Sequence, residues 1–415
     1  MPFSLFGKAR GPAATKASAA APVMAYYGTG RAVWSPRDAA SLARAGYAQN
    51  AIGFRAVRMV AEAAAAIPLQ VVEGGQQMSV HPLIGLLAQP NPAQDGRAFM
   101  ECVYGHLQLS GNAYLEAAAR DVLDVPRELH CLRPDRMQVV PGPDGWPMAY
   151  EYVLGNKRHR WSMQGEVRPI LHLKAFHPLN DHYGMSPLEA AAAAVDIHNA
   201  AAQWSKALLD NAARPSGAIV FAGKDGSASL TEEQYARLTR EIEENHAGAS
   251  NAGRPMLLEG GLDWRPMGHS PSDMEFLETK NGAAREIALA FGVPPMLLGL
   301  PGDNTYSNFQ EANRAFYRQT VLPLVRKTAN ALGCWLSEAE GLDVELTPDL
   351  DAIPALAAER DALWKRIADA DFLTVGEKRA MLGLPSLPAP ETAPASETET
   401  ARQSAPARQT ETPAR

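Results

Sequence analysis

Only three cysteines occur in 415 residues, Cys102, Cys131 and Cys334, odd in number and far apart. That count excludes a disulfide framework and the spacing matches no zinc motif, so they read as buried small hydrophobes in a reducing compartment. Apolar residues make up 46% of the chain but are interrupted everywhere, and no apolar run reaches the ~18 residues of a membrane span. The opening MPFSLFGKARGPAATKASAAAPVM has too short an apolar run, with basic residues inside it, to predict a signal peptide. Positive charge is not in excess: Lys and Arg total 39 against 46 Asp and Glu, for a net charge of −7. This excludes a protein that grips nucleic acid over its whole surface. A phosphate-binding loop is also missing. The run Ala222-Gly223-Lys224-Asp225-Gly226 has neither the upstream glycine nor the Ser/Thr after lysine that hold phosphate and magnesium.

Helix starts are plentiful instead. Ser35-Pro36-Arg37-Asp38, Ser186-Pro187-Leu188-Glu189 and Ser270-Pro271-Ser272-Asp273 each place a hydroxyl at the N-cap, proline next and a carboxylate at the third position. Thr231 and Thr374 start similar boxes without proline. Helices are predicted over 54–66 and 97–110, then short strands over 112–120, 127–133, 136–140, 148–154 and 169–176. Met148, Tyr150, Tyr152 and Leu154 share one face at period two. One long helix is predicted over 186–213, with alanine from 190 to 194 that permits close helix approach. A strand, a helix and a strand follow over 218–265, before a returning helix over 271–291. A last strand is expected over 342–346 and a helical pair over 354–384. The ends, 1–24 and 386–415, are Ala/Pro-rich with little to bury, and disorder is the expectation there.

The titratable residues form no catalytic set. His172, His177 and His182 with Asp181 surround a Pro-Leu-Asn-Asp turn and read as solvated or backbone-bonded, with no metal-ligand spacing. Lys157-Arg158-His159-Arg160 reads as a solvated hairpin tip, Glu275, Glu278 and Glu286 as a solvated helix face, and Trp204, Trp335 and Trp364 as packing anchors. No cofactor and no metal are expected.

Residues 292–333, GVPPMLLGLPGDNTYSNFQEANRAFYRQTVLPLVRKTANALG, set a Pro/Gly-rich loop between two helical patterns. The second, about 308–335, carries Pro323 in its interior, which removes a backbone donor and crowds the carbonyl four residues back. A kink is predicted there. Together with FHPLNDHYGMSPLEAAAAAVDIHNAAAQWSKALLDNAARPSGAIVF at 176–221 and LTVGEKRAMLGLP at 373–385, in this order, the chain resembles the portal proteins of long-tailed double-stranded DNA phages from roughly 50 to 385.

The resemblance implies an α+β portal fold. Its parts are a β-rich wing over 25–185 and 308–348, stem helices over 186–213 and 269–292, a small αβ clip over 214–268, a tunnel loop over 293–307 and a short helical crown over 349–385. Leu298, Gly299, Pro301, Gly302, Asp303, Asn304, Thr305 and Tyr306 then border passing DNA, with Phe316 and Pro323 on the kinked helix. Ala191, Val195, Trp204, Met274, Leu277, Ala284 and Phe291 are read as stem and subunit-interface positions. The implied assembly is a ring of about twelve copies at one capsid vertex of a phage, prophage or gene transfer particle, formed in the host cytoplasm. Its partners are double-stranded DNA passing non-specifically, the major capsid protein, a terminase ATPase and head-tail adaptors, with no membrane. Two alternatives are a head-tail adaptor, which lacks the helix, clip, helix and loop order, and a nucleic-acid-processing enzyme, which needs convergent titratable groups.

Overall fold

The computed structural model describes residues 34–118, 126–165, 168–210, 217–221, 232–245, 262–266, 276–302, 306–340 and 343–384. The two terminal segments expected to be disordered lie outside these residues, as do the boxes at Ser270 and Thr231.

The described residues begin with α1 (Ala39–Ala43), which runs into a π-helical turn, then α2 (Ala51–Ala65), β1 (Leu69–Glu73), β2 (Gln76–Gln77), α3 (Pro82–Ala88) and α4 (Gly96–Ser110). The Ser35 start is a correction. Asp38 is the N-cap of α1, accepting from the Ser41 amide, while Ser35 turns away and donates its amide and hydroxyl to Asp196 at 3.0 and 2.6 Å. A carboxylate 161 positions later offers the hydroxyl a charge-assisted bond that a local cap does not. Asp95 caps α4, and Gly111 ends it in the left-handed region, φ 72.

Six strands follow: β3 (Asn112–Ala118), β4 (Glu128–Leu132), β5 (Met137–Pro141), β6 (Pro147–Leu154), β7 (Lys157–Ser162) and β8 (Ile170–Lys174). They form two antiparallel sheets, β4-β3-β8 and β5-β6-β7. The basic run 157–160 is thus not a hairpin tip, because the turn is at Gly155, φ 59, and the run is an exposed edge strand. Charged side chains on an edge strand discourage pairing with other chains, and Arg158 and Arg160 both reach Glu151 on β6. Of the predicted apolar face of β6, Tyr150 is buried but Leu154 is half exposed.

The predicted long helix is two: α5 (Pro187–Ala190), capped by Ser186 accepting from the Glu189 amide, and α6 (Ala192–Asp210). Then come β9 (Gly217–Phe221), α7 (Glu232–Asn245), β10 (Leu262–Pro266), which pairs with β9, and α8 (Phe276–Ala290). After α9 (Tyr306–Phe316) the helix passes through a π-helical turn, Tyr317–Val321, into α10 (Leu322–Glu340). The irregularity thus stops two residues short of Pro323, where a widened turn absorbs the ring that an α-helix cannot seat. β11 (Val344–Pro348) pairs with β1 from Leu69 opposite Pro348 to Glu73 opposite Val344, so the sheet β11-β1-β2 joins an early and a late part of the described chain. Two helices, α11 (Ala357–Ala368) and α12 (Val375–Met381), complete it, the second with the full Thr374–Glu377 capping box.

One core unites α2, α4, α8 and α10, with Val60, Val103, Ile287, Leu332 and Trp335 buried together. Trp335 donates its ring N–H to the Arg168 carbonyl at 2.8 Å, so its one polar atom is satisfied. Tyr114, Met137, Tyr150 and Ile170 form a second cluster between the two larger sheets. Among the described residues no helix is long and apolar enough to cross a membrane.

Candidate functional site

The Pro/Gly-rich loop leaves α8 at Gly292, whose φ of 64 suits glycine and whose neighbour leaves no room for a side chain. A Cβ there meets the Thr320 hydroxyl oxygen at 2.6 Å, and that hydroxyl donates to the Gly292 carbonyl, also at 2.6 Å. Thr320 belongs to the π-helical turn. The irregular turn and the start of the loop are therefore one hydrogen-bonded unit.

Beyond Gly292 the chain makes a 3-10 turn, Pro295–Leu298, closed by Gly299 in the left-handed region at φ 74. Leu300 is buried and its amide donates to the Pro295 carbonyl at 3.2 Å. The Arg285 guanidinium on α8 donates to the Pro301 carbonyl. Up to Pro301 the loop is therefore fastened at three points, while Pro301 and Gly302 themselves are exposed. Asp303, Asn304 and Thr305 lie outside the described residues, and Tyr306 begins α9.

The helix after the loop is fixed from its other side. Glu359 on α11 lies 3.5 Å from Arg314 Nε and 3.4 Å from Arg318, so α9, the π-helical turn and α11 share one carboxylate. These groups are partly exposed and each pair contributes only ~0–1 kcal/mol, enough to orient and not to hold. Phe316 is buried at the junction of α9 and the π-helical turn, whereas Pro323 is exposed.

The stem positions divide. Ala191, Val195, Ala284 and Phe291 are each below 5% exposed within a single chain. As surfaces for a neighbouring copy they need correction, because the chain's own core already covers them. Leu277 is 70% exposed and Leu289 78%, both on α8. Trp204 is half buried, and Met274 lies outside the described residues.

Of the three histidines read as solvated, His172 lies in β8, within the strand predicted over 169–176, and is half buried. Its Nε2–H donates to Asn112 Oδ1 at 3.0 Å and its Nδ1 accepts from the Tyr150 hydroxyl at 3.3 Å. Burial holds it down to about 3, with Lys174 adding to the shift. Asn112 also takes the Gly184 amide at 2.7 Å, so one buried amide ties β3 to β8 and to the approach to α5. His177 Nδ1 accepts from the Leu179 amide, a local turn.

The cysteines differ most from expectation. Cys334 is exposed, and Cys102 and Cys131, far apart in sequence, meet beside His106 with all three ligand atoms within 4.8 Å. Cys102 is the easier to ionise, because a hydrogen bond with Cys131 lowers its thiol against the effect of burial. That same bond, with burial, pushes Cys131 up. Arg285, Thr320 and Glu359 likewise carried no sequence signal, since each acts on a partner at least 16 positions away.

Comparison with known proteins accounts for the arrangement. Residues 51–383 match the model of the family described as phage portal protein. An uncharacterised protein of Rickettsia bellii is 41% identical over 345 residues, 82% of this chain and 88% of its own length. Among solved structures, a chain from the neck of an empty GTA particle computed with C6 symmetry is 59% identical at a TM-score of 0.68, covering 88% of this chain and 98% of its own. A chain from the neck of a native GTA particle computed with C12 symmetry, also 59% identical, gives 0.65 over 87% and 97%. The chain belongs to the phage portal protein family.

Proposed function

We propose that this protein is the portal of a phage or gene transfer particle, a closed ring of about twelve copies through which double-stranded DNA enters and leaves the capsid. The 59% identity to the GTA neck chain over nearly the whole length carries this reading, and that neck was computed with C12 symmetry. In it, the sheets of 25–185 and the segment 308–348 act as wing, and α5, α6 and α8 as stem. The β9, α7 and β10 unit is part of the clip, 293–307 the tunnel loop and 349–385 the crown.

The fastened loop suits that task. A segment held by Thr320, Leu300 and Arg285 up to Pro301 presents Gly302 to Thr305 from a fixed base, and its polar side chains lack the cations that would pin phosphates. Each Lys or Arg contact, repeated around a ring, would add counterion-release affinity and hinder sliding. The chain is a structural component, and energy for packaging comes from a separate terminase ATPase. The capsid protein and head-tail adaptors are the other partners, in the virion and, during assembly, in the host cytoplasm.

Particles built with a tag after residue 384 should carry gold label at one vertex only, seen by electron microscopy. Label spread over the shell, or absent from particles that form normally, overturns the reading.

A further inference from the structure

The chemistry that the portal role does not use is the Cys102, His106 and Cys131 cluster. Cys102 and His106 lie one turn apart on α4 and so share a face. Cys131 comes from β4, opposite Leu115 of β3, and β3 follows α4 directly through the Gly111 turn. The three groups are thus set by two rigid elements joined at a tight corner. All three are half buried, and the two on α4 also line an open cleft of about 370 Å³ with Tyr47, Arg58 and Glu101.

We propose that Cys102, His106 and Cys131 bind one zinc-type divalent cation, with a water from the cleft as fourth ligand. Two thiolates and an imidazole are the donor set that zinc takes, and they disfavour magnesium and calcium, which need oxygen. Around a tetrahedral zinc, bond lengths of about 2.3 Å to sulfur and 2.0 Å to nitrogen place the ligand atoms roughly 3.5–3.8 Å apart. From separations of at most 4.8 Å, the side chains close on the ion by about 1 Å, within the reach of small χ1 adjustments. The cleft gives the ion its path of entry. Binding displaces the two thiol protons to solvent and forms two Zn–S bonds, with no oxidation of either sulfur. The bound ion would clamp α4 to the β4-β3-β8 sheet.

The test uses the full chain, purified under reducing conditions and freed of metal by chelation. Titration with Co²⁺ alone should give the thiolate-to-cobalt charge-transfer band and tetrahedral d–d bands, saturating at one ion per chain. Zn²⁺ should bleach both and raise the melting temperature. Cys131→Ser and, as a separate variant, His106→Ala should weaken Co²⁺ binding at least tenfold, while Cys334→Ser retains it. Circular dichroism checks that the variants are folded, and should both ligand variants fail to fold, the Co²⁺ spectrum of the unaltered chain decides. Absence of the charge-transfer band overturns the proposal, as does binding that survives loss of Cys131. A mass showing that Cys102 and Cys131 form a disulfide in the reduced preparation overturns it equally.

Discussion

Among single residues, His172 carries the clearest consequence. Its imidazole is neutral in the fold because burial holds it down to about 3 from 6.5, and both ring nitrogens are already committed to Asn112 and Tyr150. The folded pKa lies below the unfolded one, so the unfolded chain binds more protons between the two values. The stabilisation is therefore fully present above pH 6.5 and is lost as pH falls toward about 3. At about pH 4.5 the difference is roughly 2–3 kcal/mol. His172→Gln keeps a donor and an acceptor without titrating, and its melting temperature should fall less than that of the unaltered chain between about pH 7 and 4.5. Parallel melting curves in both proteins would show that His172 is not the group that titrates. The strand around His172 was legible in the sequence, but its burial was not, and the residue read as solvated. What buries it is the register of β3 against β8, which sets His172 opposite Tyr114 and stacks the rings at 4.2 Å. Pairing register across 60 positions leaves no local mark.

Whole elements were more readable, because caps and proline act locally. Ser186 with Glu189 and Thr374 with Glu377 sit where their spacing places them, and Pro323 does mark an irregular helix. The form of that irregularity, a π-helical turn locked to Gly292 through Thr320, needs the neighbouring loop in view. The Ala-rich segment shows the converse. Small residues signal close packing but not against whom, and here the partners are α1, α4 and α8 of the same chain. On the portal reading, deleting 302–305 should leave rings and capsid incorporation close to normal, because the fastening points at Thr320, Leu300 and Arg285 remain. The DNA retained per particle should fall, measured by quantitative PCR on nuclease-treated particles. Unchanged DNA content would reject the tunnel role, and loss of rings would place the segment in the subunit contact instead.

For the molecule as a whole, the pairing of β1 with β11 matters most. Five residue pairs join Leu69–Glu73 to Val344–Pro348, and Leu346 and Val71 are buried where they meet. Truncation after residue 384 leaves every described element in place and should give the same assembly by native mass spectrometry as the full chain. Truncation after residue 340 leaves β1 paired only with the short β2, uncovers Val71 and the part of α10 that β11 covers, and should give aggregated or monomeric material. Normal assembly from the shorter chain would show that this sheet is dispensable. The late partner also bears on synthesis. The ribosome releases β1 long before β11 exists, so the sheet cannot close until translation has passed residue 348. A message cut short therefore yields a polypeptide with an open edge, which quality-control proteases can recognise. The pairing of β11 with β1 thus reports that translation has passed residue 348.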